Sequence, residues 1–234
     1  MNIEILFQDS ALLVINKPAG LATLPDGYDP TVPHIKSLLE STMGHLWIVH
    51  RLDKGTSGVL LIARSANAHR SLNTQFERHQ VSKVYHALVI GNPEWQETTI
   101  DFPLRLNGDR QHRTVTDSLH GKPAITHLRV LGHFEGYSLV EAIPETGRTH
   151  QIRAHLSALG YAIMGDKLYL PKPVKSDSKR NPSQGLYQKP VNLLGAGMGL
   201  HARSLTITHP LTGEKLKFTA PYPDSWSAAL PTLT

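Results

Sequence analysis

The chain has 234 residues, 40% of them hydrophobic and 18% charged, ordinary proportions for a folded protein with a sizeable core. Its net charge of +5, with 14 histidines besides, favours a polyanionic partner. The lack of any cysteine excludes disulfides, thiolate nucleophiles and cysteine-based metal sites, and no run approaches the ~20 apolar residues of a membrane span.

The first residues, Met1-Asn2-Ile3-Glu4, have no basic region ahead of a long apolar run, so no signal peptide is expected and the chain reads as cytoplasmic. Alternation predicts strands at Ile3 to Phe7 and Leu12 to Ile15, stopped by Pro18 and Gly20. A Gly/Pro/Asp-rich loop follows over 21–32. A short helix is predicted from Pro33 to Met43, with Gly44 beyond its end. Ser65 is placed to cap a longer helix that carries Leu72 and Phe76 on one face and runs to about His79. Val81 to Ile90 reads as a strand, as do Ile125 to Leu131 and Tyr137 to Ile143. A second long helix is expected from Thr149 to Leu159, ended by Gly160. Residues 171–199 read as a long flexible loop, and Ser204 to His209 should pair with Glu214 to Thr219 in a hairpin. Strands that mostly follow one another predict an α+β fold with a mixed, mostly antiparallel central sheet flanked by helices and loops. With no repeat and no firm boundary, residues 1–234 are expected to form a single domain.

Three segments carry chemistry. In His50-Arg51-Leu52-Asp53-Lys54-Gly55-Thr56-Ser57-Gly58, one carboxylate sits in a short polar turn between two apolar runs. Such a carboxylate is costly to desolvate, and Arg51 and Lys54 set it in a basic surrounding that suits a nucleophile facing an anionic substrate. Alone, an Asp in such a turn is better explained as turn chemistry. Tyr85 lies mid-strand in Lys83-Val84-Tyr85-His86-Ala87, where alternation puts Lys83, Tyr85 and Ala87 on one face. It either fills a half-buried sheet surface or offers a ring for a base to stack on. In Glu145-Thr146-Gly147-Arg148-Thr149-His150-Gln151-Ile152-Arg153, the turn offers free N–H groups ahead of a helix. Arg153, on the shoulder of the apolar face, should want a carboxylate partner, with Asp53 the candidate.

The three strings together resemble the motifs of the RluA-type pseudouridine synthases. So do Val14-Ile15-Asn16-Lys17-Pro18-Ala19-Gly20, Gly121 to Ala124, Gly165-Asp166-Lys167 and Leu200-His201-Ala202, in the same order and over nearly the whole chain. The resemblance implies the pseudouridine synthase fold with a central active-site cleft, and an isomerase that converts selected uridines of structured ribosomal or transfer RNA. It implies Asp53, Tyr85 and Arg153 as catalytic residues. The target base must flip out of its stack. Arg51 would fill the vacated space, with His50, Arg148 and His150 on the RNA. The reaction is redox-neutral, so neither cofactor nor metal is expected. Many relatives carry an S4-type RNA-binding domain ahead of the catalytic one; its absence here would leave RNA selection to the catalytic surface. A monomer is the default expectation.

Two other readings remain open at this stage. One is an RNA-binding protein that keeps the fold without turnover. The other is a two-histidine RNA phosphoesterase, suggested by the H-x-[ST] elements His112-Arg113-Thr114 and His155-Leu156-Ser157. A metal hydrolase is disfavoured, because His150 and His155 are five apart rather than four.

Overall fold

In the computed structural model, which describes residues 3–25, 29, 31–170, 193–195 and 197–230, twelve strands and three α-helices follow one another. The first half holds β1 (Glu4–Gln8), β2 (Leu12–Lys17), α1 (Ile35–Met43), β3 (Trp47–Ile48), β4 (Ser57–Ala63), α2 (Ala66–Glu77) and β5 (Ser82–Ile90). Then come β6 (Glu97–Asp101), β7 (Leu104–Arg105), β8 (Val115–Thr116), β9 (Ile125–Phe134), β10 (Tyr137–Pro144), α3 (Gln151–Ala158), β11 (Leu200–Thr208) and β12 (Lys215–Thr219). Most of the loop expected at 171–199 lies outside the described residues. Contacts group the chain into two units, Met1–His86 with Leu200–Asp224, and Ala87–Gly199 with Ser225–Thr234. The chain leaves the first unit in the middle of β5, which is why no linker is legible in the sequence.

In the first unit, alternation decides what each strand buries. Leu12, Val14, Val59 and Leu61 face one way and pack with Ala68 and Leu72 of α2. Leu13, Ile15, Leu60 and Ile62 face the other and pack with Ile35 and Leu39 of α1. A sheet clad on both faces makes β4 a central strand, buried at every position. β4 pairs antiparallel with β2 and β3, and parallel with β11 at His201 opposite Ser57 and Ala202 opposite Gly58. β1 adds antiparallel to β2, and β12 to β11. Only glycine fits position 58: its φ is +106°, and a Cβ would lie 2.2 Å from the Ala202 carbonyl oxygen.

The ends of these elements follow local chemistry. Ser65 caps α2 as expected, its hydroxyl accepting from the Ala68 N–H at 3.2 Å. The first helix begins at Ile35 rather than Pro33, because His34 is the cap: its Nδ1 accepts from the Ser37 N–H at 3.0 Å. At the far end, His209 binds the Thr212 N–H through Nδ1 (3.0 Å) and Asp9 Oδ2 through Nε2 (2.8 Å), tying the β11–β12 turn to the β1–β2 turn.

The second unit is built on an antiparallel trio with β9 between β6 and β10, beside the small β7–β8 hairpin. Its third helix starts at Gln151, two residues later than expected, because His150 adopts left-handed backbone at φ +56°. Among the described residues, no helix is long and apolar enough to cross a membrane.

Candidate active site

Asp53 sits where β3 abandons its neighbour. The β3–β4 ladder ends at Ile48 opposite Ile62, and the next inward N–H, that of Leu61, donates instead to His50 Nε2 at 3.0 Å. The same ring stacks on Phe76, centroids 5.0 Å apart. Burial, and secondarily the charge of Lys83, pushes the His50 pKa down to about 3. The ring that was expected on RNA thus also joins the β3 exit to β4 and packs on α2.

Beyond His50, Arg51 is exposed, Leu52 buried, Asp53 half-buried and Lys54 exposed. The Thr56 N–H closes a turn onto the Asp53 carbonyl at 3.0 Å. The neighbouring loop grips both flanks. Thr23 Oγ1 accepts from the Leu52 N–H at 3.2 Å and donates to the Leu52 carbonyl at 3.0 Å. The Lys54 carbonyl accepts from the Gly20 N–H at 2.7 Å and from Lys17 Nζ at 3.5 Å. Lys17 is itself fully buried, its ammonium also donating to the carbonyls of Pro18 and Leu21 at 2.8 and 2.7 Å. Burial pushes its pKa down to about 7, while the negative charge of Asp53 pulls the other way.

Tyr85 is half-buried on β5, packed against the apolar cluster that contains Leu52, Leu60, Ile62 and Ala202. Its phenol is pushed above the ordinary tyrosine range, first by burial and then by the charge of Asp53. Two of the three expected catalytic residues therefore feel one another in the first unit. Lys83, two residues earlier, is lowered to about 8 by burial. Ser57 binds His201 Nδ1 at 2.9 Å beneath this turn.

The third segment belongs to the second unit. Arg153 is buried and makes a bidentate pair with Asp166, Nε to Oδ2 at 2.7 Å and Nη2 to Oδ1 at 2.9 Å. Its guanidinium lies 5.0 Å from the centre of the Tyr169 ring. The Tyr169 hydroxyl accepts from the Thr114 N–H (3.0 Å), donates to the Thr114 carbonyl (3.1 Å) and reaches His150 Nδ1 at 3.2 Å. Gln151 holds the preceding turn: its Oε1 accepts from the Thr146 hydroxyl and the Arg148 N–H at 2.7 and 3.0 Å. Arg148 itself is exposed, with Nε on the Pro123 carbonyl at 3.1 Å. Lys17, Thr23, Gln151, Asp166 and Tyr169 were not singled out from sequence. Lys17 and Asp166 do stand inside strings that resemble the family, which was their available signal.

The phosphoesterase reading fails on His155, whose two ring nitrogens are committed to Thr126 Oγ1 (2.9 Å) and the Phe102 carbonyl (3.0 Å) in a fully buried setting. Among the described residues, no group of three or more His, Asp or Glu is arranged to hold a metal ion.

Known proteins bear on this geometry. The family model for RNA pseudouridylate synthase matches residues 11–158. The ribosomal large subunit pseudouridine synthase D of Zymomonas mobilis is 38% identical over 94% of this chain, which spans 69% of that relative. The dual-specificity RNA pseudouridine synthase RluA of Haemophilus influenzae is 35% identical over 93% of this chain and 92% of its own length. The solved structure of human RNA pseudouridylate synthase domain containing 4 is similar over 97% of this chain and 92% of that one, with a TM-score of 0.73 and 30% identity.

Proposed function

The chain belongs to the RNA pseudouridylate synthase family, among its RluA-type members, and from that premise we propose that Asp53 is the carboxylate that starts the isomerisation, with Tyr85 and Arg153 serving it. Pseudouridylation breaks the bond between C1′ and N1 of a uridine, turns the uracil, joins C1′ to C5 and releases the C5 proton, while N1 takes up a proton. Nothing is oxidised or reduced, and the reading needs no cofactor.

The observation that carries the proposal is the mounting of Asp53: a half-buried carboxylate in a turn whose flanking peptides are both anchored. Catalytic groups gain most from being held where they act. Tyr85 is a phenol at neutral pH, and burial and the charge of Asp53 hold it further from the phenolate form. It then serves as a stacking surface and hydrogen-bond donor for the flipped uracil. Arg153, aimed by Asp166, is assigned to the same reaction by its place in the third motif. Arg51, exposed beside Asp53, is the group we place in the space left by the base, and exposed Arg148 contacts the backbone phosphates. His150, on strained backbone between that turn and Arg153, is proposed to orient the RNA-facing turn.

The substrate we propose is a stem-loop of ribosomal or transfer RNA, in line with the two classes in the names of the relatives. A monomeric, cytoplasmic enzyme completes the proposal. The deciding experiment is tritium release from C5-labelled uridine in ribosomal and in transfer RNA, offered separately, with Asp53→Asn as control. Release by the wild type alone supports the assignment and identifies the RNA class. Turnover that survives in Asp53→Asn would sink it.

A further inference from the structure

We propose that Thr23 is a positioning residue for Asp53, acting through Leu52; the inference rests on Asp53 being the reacting carboxylate. Segment 49–56 has left the β ladder, so its peptide groups need partners from elsewhere. For Leu52 both are supplied by one hydroxyl, 29 residues away in sequence. Thr23 and Leu52 are 3% and 5% exposed, so water does not substitute for that hydroxyl.

The chemistry of the clamp is specific. A hydroxyl is the smallest side-chain group that can accept from an N–H and donate to a carbonyl at once. Valine matches threonine in shape and offers neither function, whereas serine offers both. One residue beyond Asp53, the Lys54 carbonyl is fixed by the Gly20 N–H, from the same loop as Thr23. The residue before Asp53 and the residue after it are thus each bonded to residues 20–23, and the carboxylate hangs between two fixed points. Release of the first point leaves a buried N–H and carbonyl unpaired, and the backbone must shift to satisfy them. Asp53 shifts with it.

The test compares Thr23→Val, Thr23→Ser and Asp53→Asn in the full chain, by single-turnover tritium release from whichever C5-labelled RNA the wild type accepts. RNA affinity and thermal unfolding are measured in parallel. Thr23→Val should lower the single-turnover rate about 10–100-fold, the scale of a misplaced reacting group, with RNA affinity changed by less than about twofold. Thr23→Ser should restore most of the rate. A rate in Thr23→Val within about twofold of wild type, with Asp53→Asn inactive, overturns the clamp and leaves the Asp53 assignment standing. Equal losses in the Val and Ser variants overturn it too, since a hydroxyl would then not be what matters. Turnover retained in Asp53→Asn removes the premise instead. Should the Val variant unfold, hydrogen exchange in the wild type still decides: a Leu52 amide that exchanges slowly supports the clamp, and one that exchanges as freely as an exposed turn refutes it.

Discussion

Replacing Asp166 by asparagine should be among the most destabilising single-atom changes available in the second unit. The Asp166 side chain is 1% exposed and that of Arg153 is 9%. Its carboxylate accepts four N–H donors: Arg153 Nε at 2.7 Å, Arg153 Nη2 at 2.9 Å, Leu168 N at 3.0 Å and Tyr169 N at 3.3 Å. An amide has one oxygen to offer. With its NH2 where Oδ1 was, it faces Nη2 and two backbone donors; turned over, it faces Nε. Either way donor meets donor, and a buried guanidinium loses the negative charge opposite it. Breaking a buried pair from one side costs about 3–5 kcal/mol. For a chain of this length each kcal/mol moves Tm by roughly 2–4 °C, so a fall of about 6–20 °C is expected. Differential scanning calorimetry reads it directly, and urea midpoints check it. A change below about 2 °C would refute the reasoning, because it would mean that this pair is no more than a surface ion pair in effect.

Two further outcomes follow from the first unit. His201 is fully buried, and burial, the largest cause, pushes its pKa down to about 4 from the ordinary 6.5. The folded pKa lies below the unfolded one, so as pH falls the unfolded chain takes up the proton first. The stabilisation is whole above pH ~6.5 and is lost as pH drops toward ~4, to the extent of about 3 kcal/mol. Urea midpoints at pH 7 and 4.5 should therefore differ in wild type and differ less in His201→Asn; equal midpoints in wild type would contradict the assignment. Gly58→Ala must hold φ +106° and push a methyl to 2.2 Å from the Ala202 oxygen. The backbone conformation alone costs about 1–3 kcal/mol, and the clash adds to it, so a variant with wild-type Tm would show the strand approach to be looser than described.

What could be read from the chain, and what could not, divides along sequence distance. Leu12 to Ile15 and Val59 to Ile62 announce their strands by alternation and apolarity, and Ser65 announces a helix start, because those signals are local. β6 went unseen: Glu97-Thr98-Thr99-Ile100-Asp101 contains one apolar residue, and its strand character comes from pairing with β9. The helix start at His34 was missed because histidine is an unusual cap that works here through Nδ1. The proposed catalytic residues Asp53, Tyr85 and Arg153 lie in contiguous motifs, so those segments were legible. Their supports were not. Thr23 meets Leu52 across 29 residues, Lys17 meets Lys54 across 37, and Arg153 meets Asp166 across 13. Asp53 was the carboxylate partner expected for Arg153 on charge grounds, and Asp166 is a partner to which charge alone does not point.

The parallel pairing of β4 with β11 also sets a timetable. Ser57 and His201, bonded in the finished protein, are 144 positions apart. At ribosomal speeds of ~5–20 residues per second, about 7–30 s separate their synthesis. Through that interval β2 and β3 can already be on β4, but the end of β4 next to Asp53 waits for its parallel neighbour with its N–H and carbonyl groups unclaimed. An open apolar strand edge is a template for any passing chain. The nascent protein should therefore lean hardest on chaperones after β4 has emerged and before β11 has, and a ribosome stalled in that window would display an aggregation-prone half-sheet.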